Sequence, residues 1–281
     1  MAPSTPSASA APRDEVRARL ENWRRRAGAG QAPAIETLMA DPRRLSVLLS
    51  VFEQAPALSA LALAHPDAVI EALGGGADHI LDRTVADLAA LDRVTGPVPA
   101  LSRAIAPLKE RAVTALAFAD LAGLKTTEET GIGLARLADA VTGTALDWLV
   151  RLAIRHGELK LEEGATARVP GLFLIGARRL AGREPGYWGP IELAFVMDDT
   201  TLPKAGLRWA DRAIERLAGD LCDCFDGLKD SPQIFRVAHV RRFSPSARTL
   251  VIPARTLQEM LAAGEPAPLR AFLAGPPVVA G

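Results

Sequence analysis

The chain has little of several features that mark particular protein classes. Its only two cysteines, Cys222 and Cys224, cannot supply the disulfide framework of a small secreted domain or the four ligands of a structural zinc site. We expect them to be packing or surface thiols. No apolar run reaches the roughly 20 residues of a membrane-spanning helix, and the first residues lack the apolar core of a signal peptide. These absences predict a cytoplasmic protein with no membrane partner.

Net charge is also absent. Lys and Arg total 33 and Asp and Glu total 33, so the formal net charge is zero. Because nucleic-acid-binding surfaces need an excess of positive charge, we expect no nucleic-acid partner. Aromatic residues make up 5% of the chain and hydrophobic residues 49%, led by Ala and Leu, which favours a globular, helix-rich protein.

Three regions follow one another along the 281 residues. Residues 1–12 are rich in Ala, Ser and Pro and are predicted to be a disordered tail. Residues 13–163 carry apolar side chains at helical spacing, interrupted by proline and glycine, and are predicted to be a helical region. Within it, Thr126 and Glu129 form a capping box, and Gly143 is a candidate interruption of the helix that follows. Residues 164–281 are predicted to form an α/β domain.

The segment from Leu172 to Asp199 organises this second domain. Two apolar runs, Leu172–Ile175 and Ile191–Met197, flank a basic, glycine-rich connection and indicate two strands. One face of the second strand is fully apolar, and the other carries Glu192 near its start. The pattern then predicts a helix from Ala205 to about Phe225, followed by strands at Ile234–Phe243 and Thr249–Ile252. The predicted fold class is therefore α+β, with a helical N-terminal region followed by a small mixed sheet.

A family resemblance is carried by the residues from Ile175 to Val196, which read IGARRLAGREPGYWGPIELAFV. Without a gap, they resemble the signature L-G-x-G-K-L-G-G-R-E-L-N-[FY]-S-S-D-I-D-L-I-F-V of the glutamine synthetase adenylyltransferase/deadenylylase family. Phe235, Arg236 and Val237 likewise resemble its [FY]-R-V-D motif. The resemblance runs from about Leu48 to the last residue. It implies a nucleotidyltransferase-like domain from the amino-terminal, deadenylylating half of a longer enzyme.

The chain departs from this family at the positions that carry the chemistry. In the family, the aspartates of D-x-D and R-V-D bind divalent metal, and here their places are taken by Pro190, Glu192 and Ala238. Residues i and i+2 of a strand share a face, roughly 6–7 Å apart, so paired aspartates can hold metal ions. Proline and alanine offer no side-chain ligand. With these departures, the resemblance implies a degenerate site with no catalytic residues, no metal and no cofactor.

A phosphate site is a separate hypothesis. The candidate nucleotide or phosphate ligands lie in and around the glycine-rich connection. Glycines give it a flexible backbone, and arginines can neutralise phosphate. The alternative is that these arginines lie on a solvated turn. The candidates are Gly176, Arg178, Arg179, Gly182 and Arg183.

Three functions remain open from the sequence. The first is a pseudoenzyme of nitrogen regulation that binds another protein, for which the resemblance suggests glutamine synthetase. The second is an active adenylyltransferase/deadenylylase acting on glutamine synthetase, with an atypical metal site that uses Mg²⁺ and ATP. The third is a docking or oligomerisation module built from the helical region. Metal-dependent nucleotide binding distinguishes the first two functions, because it is expected of the active enzyme and not of the pseudoenzyme.

Overall fold

The computed structural model describes residues 11–93, 96–159, 169, 171–177, 179–198, 200, 210–227, 231–239 and 250–263. The chain divides into two compact units. The first contains the described residues of Met1–Arg83 and Glu110–Thr130, and the second contains those of Thr84–Lys109 and Gly131–Gly281. The predicted domain boundary at residue 163 lies outside the described residues and stays a prediction.

Short helices with defined starts build the first unit. Proline opens α3, α4 and α5, because the N–H that it lacks would have no partner within a helix at that position. Asp41 caps α3 by accepting hydrogen bonds from the backbone amides of Arg43 and Arg44, at 2.9 and 3.4 Å. Helix α1 packs against α3, α4 and α5, and its Leu20 and Trp23 are buried. The helices are α1 (Ala11–Ala27), α2 (Ala32–Ala40), α3 (Pro42–Gln54), α4 (Pro56–Ala64) and α5 (Pro66–Leu73).

The predicted disordered tail is too long by two residues. Ala11 and Pro12 belong to α1, because proline is compatible with the first turn of a helix, where N–H groups need no intrahelical acceptor. Residues 1–10 lie outside the described residues.

Three more helices follow, and the last continues through Gly143. Helix α8 spans 29 residues without a break, so the predicted interruption is wrong. A single glycine costs a helix only about 1 kcal/mol relative to alanine. Burial of Trp148, Leu149 and Val150 on the same helix offsets that cost. These helices are α6 (Ala77–Ala89), α7 (Val98–Leu121) and α8 (Thr127–Arg155).

The predicted capping box at the start of α8 is confirmed. The Thr126 hydroxyl accepts a hydrogen bond from the Glu129 amide at 3.1 Å, and the Glu129 carboxylate accepts one from the Thr126 amide at 2.8 Å. The Thr126 hydroxyl also donates to Glu129 at 2.9 Å. Hydrogen bonds from the backbone and side chain of Thr126 lower the pKa of Glu129.

We expect Thr126→Ala to lower the free energy of unfolding by about 1 kcal/mol at neutral pH, because the start of α8 loses its cap. The loss should shrink at acidic pH. A carboxyl whose pKa is lowered by folding stabilises the protein above its unfolded-state pKa and stops doing so as pH falls through the lower value. Urea unfolding at pH 7 and pH 3 measures this. Thr127→Ala, one residue further on, is the control, and an equal loss at both pH values would contradict the account.

A small mixed sheet lies in the second unit. Strand β2 pairs antiparallel with β1 along one edge. Along its other edge it pairs in parallel with β3 over its first half and with β4 over its second half. This sheet, preceded in the chain by helices, confirms the α+β class. The elements are β1 (Leu172–Ala177), β2 (Ile191–Met197), α9 (Ala210–Asp226), β3 (Val237–His239), β4 (Val251–Pro253) and α10 (Ala254–Ala262).

The two faces of β2 pack differently. Ile191, Leu193 and Phe195 are each 1% exposed, which confirms the predicted apolar face. On the opposite face, Val196 packs with Leu257 of α10. Helix α9 contacts β3 and β4.

The ends of the strands differ from the sequence prediction. Strand β1 continues to Ala177, because Gly176 pairs with Leu193 instead of ending the strand. The predicted strand from Ile234 begins three residues later, since the amides of Ile234 and Phe235 donate to the Phe225 carbonyl at 2.8 and 3.1 Å. Strand β4 begins at Val251. Residues 205–209, 240–243 and 249 of these predicted elements lie outside the described residues.

No single helix in the described part of the chain has the length and apolar composition of a membrane span. Only the bent pair α3 and α4, at 118° to each other, meets those two criteria together. Apolar residues of this pair, including Leu48, Phe52 and Ala62, are fully buried.

Candidate functional site

The three degenerate positions lie together in the sheet. Glu192 is the second residue of β2, and its Cα partners are Ala177 on β1 and Ala238 on β3. Pro190 precedes β2 and is exposed. The next amide, that of Ile191, donates to the Arg236 carbonyl at 2.9 Å, which joins β2 to the segment entering β3. The sheet therefore has the register that a D-x-D pair and a third aspartate on the next strand would need.

The residues at these positions do not fit a divalent cation. Magnesium and manganese prefer oxygen ligands, and catalytic sites hold them with carboxylates. Pro190 and Ala238 have no side-chain oxygen, which leaves Glu192 as the one carboxylate of the three. Across the described ranges, no group of three or more His, Cys, Asp or Glu residues is placed to hold a metal ion.

Asp198 does not replace the missing carboxylates. It follows the last residue of β2, at the opposite end of the strand from Glu192. Its carboxylate accepts hydrogen bonds from the amide and the hydroxyl of Thr200, at 3.0 and 2.6 Å. Its own amide donates to the Gly171 carbonyl at 2.7 Å. Asp198 therefore stabilises the exit from β2.

The described phosphate-ligand candidates lie at the end of β1 and in the turn that follows it. Gly176 belongs to β1, and Arg178 lies outside the described residues. Arg179 and Gly182 are exposed in the connection, and the Arg179 Nε donates to the Glu184 carbonyl at 3.1 Å. Arg183 is exposed in the same turn. Phosphate binding by these residues stays a prediction.

The first half of the connection between β1 and β2 is a tight, anchored turn. The Glu184 amide donates to the Arg179 carbonyl at 2.7 Å, and the Arg183 amide donates to the Leu180 carbonyl at 3.1 Å. Leu180 and Ala181 are buried and fix the turn to the protein. Arg183 has a φ of 55°, which is the only positive φ at a non-glycine residue in the described part of the chain.

The second half of the connection presents aromatic side chains to solvent. The Gly189 amide donates to the Gly186 carbonyl at 3.3 Å and closes a turn around Tyr187 and Trp188. These two rings pack edge to face, with centroids 5.7 Å apart. Trp188 is nevertheless 49% exposed, two residues before Pro190. Sequence reasoning missed Trp188, although it stands where the resembled signature has a serine.

Two carboxylates of α9 hold the partner strands beside β2. Asp226 accepts a hydrogen bond from the Val237 amide at 2.9 Å, at the start of β3. Glu215 accepts hydrogen bonds from the amides of Leu250 and Val251, the second at 3.1 Å, at the start of β4. The sequence gives no signal for these contacts, because acidic residues on an amphipathic helix are typical of a solvated face.

We expect Glu215→Ala to lower the free energy of unfolding by about 2–3 kcal/mol, because it removes two hydrogen bonds to a charged acceptor. Hydrogen exchange of the Val251 amide should accelerate more than that of Val237. Glu215→Gln, which keeps one acceptor oxygen, should lose less. Asp223→Ala, an exposed change on the same helix, is the control, and equal losses for Glu215→Ala and Asp223→Ala would contradict this assignment.

Two other ionisable side chains of α9 have pKa values that burial raises. Burial raises the pKa of Asp220, the negative charges of Asp223 and Glu158 raise it further, and Arg216 opposes them. Burial raises the pKa of Cys224 to about 11. Both cysteines are buried free thiols, as expected for packing residues.

Comparison with known proteins agrees with the resemblance. The family model for glutamate-ammonia ligase adenylyltransferase matches residues 45–261. Each of three relatives is named a bifunctional glutamine synthetase adenylyltransferase/adenylyl-removing enzyme. The relative from Bartonella quintana is 25% identical over 76% of this chain and 22% of its own length. That from Xanthobacter autotrophicus is 30% identical over 58% and 17%, and that from Mesorhizobium japonicum is 28% identical over 87% and 24%.

The chain thus spans about a quarter or less of each of these relatives. The family model matches well over half of the chain, through the helices and the sheet that carries Glu192. On this match, the chain belongs to the glutamate-ammonia ligase adenylyltransferase family.

Proposed function

We propose that this chain is a non-catalytic member of its family, which acts as a protein-binding, regulatory module in the cytoplasm. The observation that carries the proposal is the register of the sheet. Glu192 lies beside Ala238, and Pro190 lies two residues before it, so one of the three positions that would form the site carries a carboxylate. A nucleotidyl-transfer site needs metal ions to neutralise phosphate charge and hold the reacting groups in line.

The framework around these positions supports a binding role. The strand register and the two carboxylate contacts from α9 keep the sheet ordered. The connection beside it exposes Trp188, with Tyr187 against it and Arg179 nearby in sequence. Trp, Tyr and Arg are the residues most enriched at the energetic centres of protein interfaces. We propose that this surface contacts the partner.

Glutamine synthetase is the partner that we propose, because the three relatives are named for enzymes acting on it. The test mixes this chain with glutamine synthetase, unmodified or adenylylated, in the presence of ATP, inorganic phosphate, Mg²⁺ and Mn²⁺. Mass spectrometry detects adenylylation or its removal on glutamine synthetase, and sedimentation velocity detects the complex with this chain. Binding without any change in the mass of glutamine synthetase is the expected result. Transfer or removal of an adenylyl group would overturn the proposal.

A matched pair of variants tests the contact surface. Trp188→Ala should weaken the complex about tenfold or more, since truncating an interface tryptophan commonly costs 2 kcal/mol or more. The control is Leu121→Ala with Leu124→Ala, because these leucines are also exposed but lie at the end of α7 and in the turn after it. Loss of binding in the leucine variant alone would instead favour the helical docking module.

A further inference from the structure

Helix α8 and the β1–β2 connection approach each other very closely at Gly131. A Cβ atom added to Gly131 would lie 2.6 Å from the Arg183 carbonyl oxygen and 3.7 Å from the Glu184 Cα. The first distance is shorter than any normal contact, and the obstructing atom belongs to the backbone, which cannot simply rotate away. Only glycine therefore permits this approach.

The same arginine has an unfavourable backbone conformation. A φ of 55° is in the left-handed region, which side chains other than those of Gly, Asn and Asp seldom adopt. Such a conformation persists where surrounding contacts hold it. Two contacts hold Arg183 here. Its amide donates a hydrogen bond to the Leu180 carbonyl, and its own carbonyl lies against Gly131.

The charge of Arg183 also acts on α8. Burial raises the pKa of Asp139, which lies eight residues after Gly131 on this helix, and the positive charge of Arg183 opposes that rise. Eight residues correspond to about 12 Å along a helix, so this electrostatic effect acts at a second point on α8.

We infer that the β1–β2 connection is latched to α8 where the Arg183 carbonyl meets Gly131, with the charge of Asp139 supporting this latch, and that Arg183 serves the latch instead of binding phosphate. The position of the connection is then set by the protein itself, without a bound nucleotide. The inference does not depend on the proposed function, since it concerns how the connection is held in any member of this fold that has these residues.

Gly131→Ala and Gly143→Ala form a matched pair, because both glycines lie in α8 but nothing lies within 4 Å of a Cβ at Gly143. Gly143→Ala should raise the thermal midpoint, since alanine favours the helix. Gly131→Ala should lower it. Trypsin cleavage after Arg179 and Arg183, followed by mass spectrometry under native conditions, should accelerate about tenfold or more in Gly131→Ala and stay unchanged in Gly143→Ala.

A second pair of variants tests the charge of Asp139, and it remains informative if Gly131→Ala does not fold. Asp139→Asn should accelerate the same cleavages several-fold, and Glu128→Gln, exposed on the same helix, should not. Inorganic phosphate should leave all cleavage rates unchanged. Equal midpoints and rates in the two glycine variants would overturn the latch, as would an unaltered rate in Asp139→Asn. Protection of Arg183 by phosphate would restore the ligand role.

Discussion

Pro190→Asp, Glu192→Asp and Ala238→Asp together should give this chain a divalent-cation site. Positions 190 and 192 lie two residues apart at the start of β2, and position 238 is the Cα partner of 192. Three carboxylates in this register supply the hard oxygen ligands that Mn²⁺ and Mg²⁺ prefer. We expect Mn²⁺ to bind with a dissociation constant of about 0.1–1 mM or below, measured from free Mn²⁺ by electron paramagnetic resonance.

The triple asparagine variant at the same positions is the control for this gain. It has similar side-chain volume and oxygen atoms but no charge, so it should bind Mn²⁺ at least tenfold more weakly. A folded triple aspartate variant with no Mn²⁺ binding would contradict the claim that the framework of the site persists.

Phe225→Ala should cause the largest loss of stability among the single substitutions proposed for this chain. Phe225 is fully buried, and its ring meets that of Phe235 edge to face with centroids 5.7 Å apart. Lys109 lies 4.7 Å above the Phe235 ring and donates to the Ile234 carbonyl at 2.6 Å. We expect a loss of about 3–5 kcal/mol in the free energy of unfolding, from the lost burial and the cavity that remains.

Phe225→Leu is the matched control, because it keeps most of the buried volume and should lose less than about 2 kcal/mol. Urea unfolding measures both variants. Hydrogen exchange should show faster opening of β3 in Phe225→Ala, since Phe235, in the segment leading into β3, loses the ring against which it packs. A loss below about 1 kcal/mol in Phe225→Ala would show that this cluster does not hold β3 in place.

Local patterns predicted part of the fold well. The alternation of Ile191, Leu193 and Phe195 defined β2 with its correct bounds, because one buried face imposes a period of two. The pair Thr126 and Glu129 located the start of α8. The end of β1 and the start of β3 differ from the prediction, since they depend on pairing with residues distant in the chain.

The candidate site was less accessible to sequence reasoning. The convergence of Pro190, Glu192 and Ala238 was expected only through the family resemblance, since the last two lie 46 positions apart and periodicity does not give strand register. The contact between Gly131 and Arg183 joins residues 52 positions apart. A glycine inside a helix permits a close approach but does not require one, as the open space at Gly143 shows, and nothing in the sequence identifies Arg183 as the residue that approaches Gly131.

Isothermal titration of the natural chain with ATP, in the presence of Mg²⁺ and then of Mn²⁺, shows whether the site around Glu192 binds metal and nucleotide. With one carboxylate at the three positions, we expect no metal-dependent heat of binding at millimolar ATP. Binding of ATP with a micromolar dissociation constant that disappears when the metal is chelated would contradict it.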